Sequence, residues 1–311
     1  MTEERMSAEV CTRYGPPEVL QPAEIEKPVP RDNEVCVRIY ATAVTASDCI
    51  VRSGKVDVRL WLPMRLALGF GKPRNPVLGM VLAGEVESVG TRVGSFKKGD
   101  RVFGMNRFVF GTYAEYKCEP ENGVIALKPS NLTFEETAAI PFGGLLALHF
   151  LKKANVGSGQ RVLVYGASGA VGTSAVQLAR CFGAKVTGVC STANLELVKS
   201  LGADKVVDYT KDDLAVMGES YDLVFDAVGK SKSSPFKQQC KRALAPDGKY
   251  VSVDDGTPKL CVENLVLLRE LAEAGKLKPV IDRSYPPEQI AEAHRYVERG
   301  HKKGNVIIKV A

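Results

Sequence analysis

The chain has 311 residues, 45% hydrophobic and 25% charged, and its 42 basic against 36 acidic side chains give a formal net charge of +6. That size and apolar content provide for a substantial core, suit two modest domains better than one, and point to a soluble globular protein. The excess charge is dispersed, with small clusters at Lys97-Lys98 and Lys302-Lys303, so a solvated surface accounts for it and no nucleic-acid partner is expected.

Met1 to Val10 carries Glu3, Glu4 and Arg5 where a secretory signal would need an apolar stretch. The longest apolar run, Ile140 to Leu151, contains two glycines and His149 and is too short for a bilayer, so the expected location is the cytoplasm. Ten of the 17 prolines precede residue 131, among β-rich runs at Val35 to Ala41, Val77 to Val89, Arg101 to Gly104 and Thr112 to Cys118. These predict a compact, irregular β domain. From Thr133 the pattern alternates: a helix over Phe134 to Lys153, a strand ending at Tyr165, a helix from Val171, then strands near Lys185 to Cys190, Lys205 to Tyr209, Tyr221 to Ala227 and Gly248 to Val253. Such alternation predicts a parallel sheet with helices on both faces. A helix at Val262 to Ala274, a loop with Pro279, Pro286 and Pro287, a helix at Pro287 to Arg299 and a strand at Val306 to Val310 follow, expected to fold back onto the β domain. The expected domains are thus 1–130, joined by 275–311, and 131–274. Eight cysteines lie scattered without a C-x-x-C pair, several in apolar runs, and are read as reduced and mostly buried.

The densest information lies in Arg161 to Arg180. An apolar strand runs through Gly166, Gly169 and Gly172 straight into an amphipathic helix, and a second buried strand follows. Glycines in that setting allow a tight turn, bring bare backbone close to a pyrophosphate and let the helix pack on its strand, while the helix amino terminus offers free N–H groups and positive dipole. The βαβ context makes Gly166, Ser168, Gly169, Ala170, Val171 and Gly172 candidate cofactor contacts for NADP or NAD, against the alternative of a structural Gly-rich turn.

Several blocks in order, Tyr14-Gly-Pro-Pro-Glu-Val-Leu20, Val44-Thr-Ala-Ser-Asp-Cys-Ile-Val-Arg52, Gly79-Met-Val-Leu-Ala-Gly-Glu-Val86, Phe96-Lys-Lys-Gly-Asp-Arg-Val-Phe103, Ala138-Ala-Ile-Pro-Phe-Gly-Gly-Leu145, Gly202-Ala-Asp-Lys-Val-Val-Asp-Tyr209 and Phe225-Asp-Ala-Val-Gly229, carry a family resemblance over nearly the whole chain. It resembles a medium-chain dehydrogenase/reductase of the zinc-free quinone oxidoreductase branch, the zeta-crystallin-like proteins. The resemblance implies an α/β protein with a GroES-like β-rich catalytic domain, a Rossmann domain with a doubly wound parallel sheet, and an active site in the cleft between them.

Zinc-dependent members of the superfamily place Cys, His-Glu and a further ligand around a catalytic metal. By alignment of the blocks, Thr45, Met80, Val81 and Phe142 stand at those places, and the short stretch Met105 to Gly111 lacks the four cysteines of a structural zinc loop. Those residues offer no thiolate, imidazole or carboxylate, so no metal is expected. Without a metal, an isolated ketone would leave its developing oxyanion poorly stabilised, whereas an enone or quinone spreads the charge itself. NADPH-dependent reduction of a quinone or α,β-unsaturated carbonyl is the expected function, with a small-molecule substrate.

NAD enzymes usually carry a carboxylate about 20 residues beyond the glycines to hold the ribose diol. Here Cys190 to Asn194 supplies hydroxyls and an amide and no carboxylate occurs before Glu196, which favours NADP, with NAD as the alternative. Ser191, Thr192 and Asn194 are therefore candidate contacts for the 2′-phosphate. The resemblance adds Tyr209 at the adenosine ribose phosphate, Asp226, Ala227 and Val228 beside the nicotinamide ribose, and Lys303, Gly304 and Asn305 as a carboxy-terminal contact. Asp226 could instead cap the following turn, and Lys303 could be a solvated charge. Thr45, on the loop that faces the cleft in relatives, is the one catalytic candidate, weighed against a structural hydroxyl satisfying backbone.

Trp61 to Phe70 is apolar and either borders a substrate entrance or packs as a helix on its own domain, the reading apolar runs favour. His149 reads as a core histidine, and His294 and His301 are too isolated to suggest ligands. The passage from Val253 to Val262 is shorter than relatives have, where a last Rossmann strand serves the dimer edge; a homodimer is compatible with the resemblance. The competing functions are a metal-free alcohol dehydrogenase and a non-catalytic nucleotide-binding or RNA-binding protein on the same fold.

Overall fold

The computed structural model describes residues 4–55, 58–106, 109–230 and 234–311. The chain divides into two compact units, Met1–Pro141 with Ile281–Ala311, and Phe142–Val280. Residues 131–141 thus lie with the β-rich unit, tied there by Phe134 stacked on Tyr40 at 4.5 Å and by Asn305 donating to the Ala139 carbonyl at 2.9 Å. Residues 275–280 lie with the other unit, where the Gln177 side chain both accepts from and donates to the Lys278 backbone.

The first unit opens with an antiparallel hairpin, β1 (Arg5–Cys11) and β2 (Leu20–Glu26). There follow β3 (Glu34–Val44), α1 (Ala46–Ser53), α2 (Val58–Leu68), β4 (Val81–Val89), β5 (Arg101–Met105), β6 (Tyr116–Pro120), β7 (Ile125–Leu127) and α3 (Phe134–Ala138). The strand β3 is the longest and most deeply set, with nearly every residue buried or half-buried, as a central strand rich in Val, Ile and Ala should be. Val35 and Val37 pack with Leu82, Val86, Val102 and Ile125 into a closed apolar cluster. The side chain of Trp61 and the backbone of Arg107 and Phe108 lie outside the described residues, while Leu62, Leu66 and Phe70 on or beside α2 are more than half exposed.

The second unit holds α4 (Pro141–Lys153), β8 (Arg161–Tyr165), α5 (Ala170–Cys181), β9 (Lys185–Cys190), α6 (Leu195–Ser200), β10 (Lys205–Asp208), β11 (Tyr221–Asp226), α7 (Pro235–Arg242), β12 (Leu244–Ser252) and α8 (Val262–Glu273). Its five strands are all parallel in the order β10-β9-β8-β11-β12. Among the described residues β12 is the edge of that sheet, and 253–260 leads directly into α8. The helix expected over Phe134 to Lys153 is two helices, because Pro141 has no N–H to donate and its ring obstructs the preceding turn, so a helix starts there instead of passing through.

Back in the first unit come β13 (Ile281–Tyr285), α9 (Ile290–Glu298) and β14 (Asn305–Lys309). They complete a sheet ordered β13-β14-β3-β4-β5-β7, with β6 also paired to β3. The strand β13 stands where a loop was expected; its Ile-Asp-Arg-Ser-Tyr run has no clean alternation, and pairing with β14 at a sheet edge supplies its order. No helix among the described residues is long and apolar enough to cross a membrane.

Candidate cofactor site and active-site loop

At the end of β8 the chain turns through Gly166, whose φ of +82° is a left-handed conformation that side chains resist. The amides of Gly166 and Ala167 donate to the Val189 carbonyl at 3.1 and 2.9 Å, tying the turn to β9. A β-carbon on Gly172 would stand 2.1 Å from the Gly166 carbonyl oxygen and 2.8 Å from the Ala167 Cα, so the close approach of helix to turn requires glycine. Gly169 is the N-cap of α5 and has no side chain to cap it. The first N–H groups of that 12-residue helix have no partner within the helix, and no side chain caps them, which leaves them available to an anion.

The sequence-predicted residues of this unit gather at the carboxyl ends of adjacent strands. The Asn194 amide donates to Ser168 Oγ at 3.3 Å and to Ser191 Oγ at 3.0 Å, linking the glycine turn to the loop after β9. Its Oδ1 is buried and accepts from no group, an orphaned acceptor beside the cradle. Val228 lies over the glycine turn, with Cγ2 2.5 Å from where a Gly166 β-carbon would be, and Ala227 donates to the Tyr165 carbonyl at 2.9 Å. The sheet order reverses between β8 and β11, and the crevice at such a switch is where doubly wound sheets take nucleotides.

Two placements add chemistry that the linear sequence hides. Asp226 is fully buried; its Oδ1 accepts from the amides of Val228 and Gly229 at 3.0 and 3.1 Å, its Oδ2 from Tyr250 at 2.7 Å, and Lys237 Nζ lies 3.0 Å away. The carboxylate is therefore spent on capping the turn, and only the backbone of 226–228 remains to run beside a ligand. Asp208, at the end of β10, accepts from Thr192 and from Thr210 (2.6 Å), and these hydroxyls hold its carboxyl below the usual range. The loop after β9 lacks a carboxylate of its own, yet the fold brings one beneath it. Tyr209 is 43% exposed beside this pair, with its ring edge-on to Phe236.

In the β-rich unit Thr45 is the N-cap of α1 in a capping box: Thr45 Oγ1 donates to Asp48 Oδ2 at 2.6 Å and accepts from the Asp48 amide at 3.2 Å, and the Thr45 amide donates to the same carboxylate at 2.9 Å. Both residues are buried, and burial lifts the Asp48 carboxyl to about 6. Nearby, His294 Nε2 is 3.2 Å from the Tyr113 hydroxyl and Nδ1 is 3.4 Å from Cys49 Sγ. Burial, aided by Arg52, lowers the His294 imidazole to about 3, so it is neutral and a donor on one nitrogen only. His294 gave no sign of this partnership in the sequence, since its partners are 181 and 245 residues away. Asn305 is buried, Gly304 has φ +59°, and the Lys303 amide donates to Asp282 while its side chain is exposed.

At the superfamily's metal positions in this unit, Thr45, Met80 and Val81 are all buried, and Phe142, in the other unit, is buried too. Among the described residues no three His, Cys, Asp or Glu side chains are grouped to hold a metal ion.

A family model described as "Alcohol dehydrogenase GroES-like domain" matches residues 31–129, and two described as "Zinc-binding dehydrogenase" match 170–275 and 262–308. The chain is 35% identical to a 2-methylene-furan-3-one reductase of Solanum lycopersicum, across 97% of this chain and 79% of that protein. It is 32% identical to a chloroplastic NADPH-dependent alkenal/one oxidoreductase of Arabidopsis thaliana, with the same coverage. The solved quinone oxidoreductase of Coxiella burnetii superposes with a TM-score of 0.83 at 26% identity, covering 99% of this chain and all of that one. The chain belongs to the medium-chain dehydrogenase/reductase superfamily, on its quinone and enone oxidoreductase branch. It is an oxidoreductase with a nicotinamide-nucleotide-binding unit.

Proposed function

We propose that this chain uses NADPH to reduce quinones or α,β-unsaturated carbonyls without zinc. The observation that carries the reading is a bare-backbone glycine cradle in a chain whose residues at the aligned zinc-ligand positions are Thr45, Met80, Val81 and Phe142. Two relatives are named for conjugated acceptors, a 2-methylene-furan-3-one and alkenals or enones, which supports the acceptor class. The description "Zinc-binding dehydrogenase" belongs to the superfamily's wider membership; hydroxyl, thioether and hydrocarbon groups at these positions do not suit zinc.

Bound nicotinamide supplies the hydride. The chain's residues supply the hold: the α5 amino terminus and the amides around Gly169 would take the pyrophosphate, Asn194 Oδ1 and the Ser168 and Ser191 hydroxyls would meet the adenosine side, and Tyr209 would lie along it. Ser191 and Tyr209 would present hydroxyls to a 2′-phosphate, whereas the Thr192 proton is already given to Asp208. Val228 and Ala227 offer backbone and an apolar face beside the turn; the family resemblance gives Lys303, Gly304 and Asn305 as a carboxy-terminal contact. Thr45 acts through position, since its proton is already given to Asp48, and it holds the start of α1 in place. An acceptor that delocalises its own charge asks no more of such a site.

The test is NADPH oxidation by the purified chain with a panel of quinones and short enones, alongside elemental analysis. Turnover with conjugated acceptors, none with isolated ketones, and no stoichiometric zinc are expected. Absence of turnover across the panel, or zinc at one per chain, would end the proposal.

A further inference from the structure

A cavity of about 420 Å³ opens in the β-rich unit between β1, β2, residues 113–115, the turn at 287–288 and β14. Hydrocarbon from Ile290, Ile308 and Val310 forms part of its wall, and four carboxylates, Glu9, Glu24, Glu115 and Glu288, are set around it, with no Lys or Arg among the lining residues. In a chain of net charge +6 this is a local reversal of sign. Two of the four are engaged within the wall: Glu115 accepts from the Ser7 amide at 2.9 Å and Glu24 from the Ser7 hydroxyl at 2.7 Å. The cations nearby are committed elsewhere, Arg5 to the Glu24 backbone carbonyl and Arg295 to Glu18.

Glu9 differs from the rest. Only 6% of it is exposed, it lines the cavity, and among the described residues none donates a hydrogen bond to its carboxylate or forms an ion pair with it. Burying an ionised carboxylate without a partner costs several kcal/mol, and proteins ordinarily avoid it by pairing or by protonation. Burial, reinforced by the charge of Glu288, raises this carboxyl to about 7. The group is therefore a negative charge in waiting, made good by whatever cation enters.

We propose that this cavity binds a protonated aliphatic amine, with Glu9 as the buried counter-charge, Glu24, Glu115 and Glu288 as further acceptors, and the hydrocarbon stem against Ile290, Ile308 and Val310. A metal ion is the poorer fit, because among the described residues no three carboxylates are grouped closely enough to coordinate one. An ammonium on an apolar chain uses both halves of the wall.

The probe is spermidine, titrated calorimetrically into the full chain at neutral pH and low salt, with 1,6-hexanediol and Mg²⁺ as controls for hydrocarbon alone and charge alone. Saturable binding is expected for spermidine only. It should release protons near pH 7 and tighten as pH rises, because Glu9 must ionise to pair with the ammonium; the other charged side chains around the cavity are Glu24, Glu115 and Glu288. Glu9→Gln should weaken binding at least about tenfold, the worth of one charge-assisted hydrogen bond. Should that variant unfold, Ala23→Phe fills the cavity from β2 and should abolish binding. No saturation, equal binding by Glu9→Gln or Ala23→Phe, or equal competition by Mg²⁺ would each overturn the proposal.

Discussion

The carbonyl oxygen of Gly166 stands 2.1 Å from the place a β-carbon on Gly172 would take, but 3.6 Å from a β-carbon on Gly169. The two later glycines of the motif therefore serve different ends. Gly172→Ala should push α5 off its turn and destabilise the second unit by about 1–3 kcal/mol, as overpacking does. Gly169→Ala should fold normally and lose affinity for NADPH, since the added methyl intrudes only where a ligand would lie. Urea unfolding and nucleotide titration on both variants separate the effects; equal stability loss in the two would contradict the assignment.

The carboxylate of Asp208 under Thr192 would oppose a 2′-phosphate held at this loop. Removing its charge with Asp208→Asn should raise the NADPH-to-NADH ratio of kcat/KM by roughly three- to tenfold, a moderate value for a screened charge pair. An unchanged ratio would mean that the phosphate lies away from the loop after β9.

His294 ties acid stability to burial. Its ordinary value is 6.5 and its folded value about 3. Above 6.5 it is neutral in both states and its stabilising share is complete; as pH falls below 6.5 the unfolded chain binds a proton that the folded chain refuses, and stability drains away toward 3. Near pH 5 the loss is about 2 kcal/mol. Glu9 and Asp48, both raised, act in the opposite sense over much of that range. The difference between wild type and His294→Phe, by urea unfolding at neutral pH and near pH 5, isolates the histidine: the gap should narrow or reverse on acidification, and a pH-independent gap would refute it.

Thr45→Ala removes an N-cap and should cost about 1 kcal/mol of stability. With the hydroxyl acting through position, kcat should fall only a few-fold and Thr45→Ser should restore both. A loss of kcat by orders of magnitude at unchanged stability would instead give Thr45 a direct part in turnover.

Lys237 and Asp226 form a pair that is 4% and 0% exposed. Lys237→Met strands the carboxylate without its counter-charge, and such losses run to about 3–5 kcal/mol. Tyr250 and two amides still serve Asp226, so the lower end is expected, with much of it regained in Asp226→Asn combined with Lys237→Met. Thermal unfolding of the single and double variants checks this.

The parallel-sheet unit was the more legible in sequence. Its strands β8, β9 and β10 are short runs rich in Val, and a helix follows most of the five strands, so local pattern and fold agree. The β-rich unit was harder to read: β1 and β2 were missed, because Leu20 to Glu26 is a largely exposed hairpin arm carrying Pro22, and β13 takes its order from its neighbour β14. At the site, the glycine turn announced itself through spacing. Asp208 beneath Thr192, Lys237 against Asp226 and His294 against Tyr113 did not, since each joins residues that share no motif and meet only when strands and helices are assembled.

The pairing of β14 with β3, Val306 opposite Val44, makes the β-rich unit discontinuous in the chain. Its sheet cannot close until a segment beyond the whole of the other unit has arrived, whereas the parallel-sheet unit owns all its strands within one unbroken stretch. During synthesis the nucleotide-binding half can reach its native form alone, leaving β3 with an open flank to shield meanwhile. A chain cut short before β14 would carry a finished half and an exposed strand edge, the form of this protein most prone to self-association.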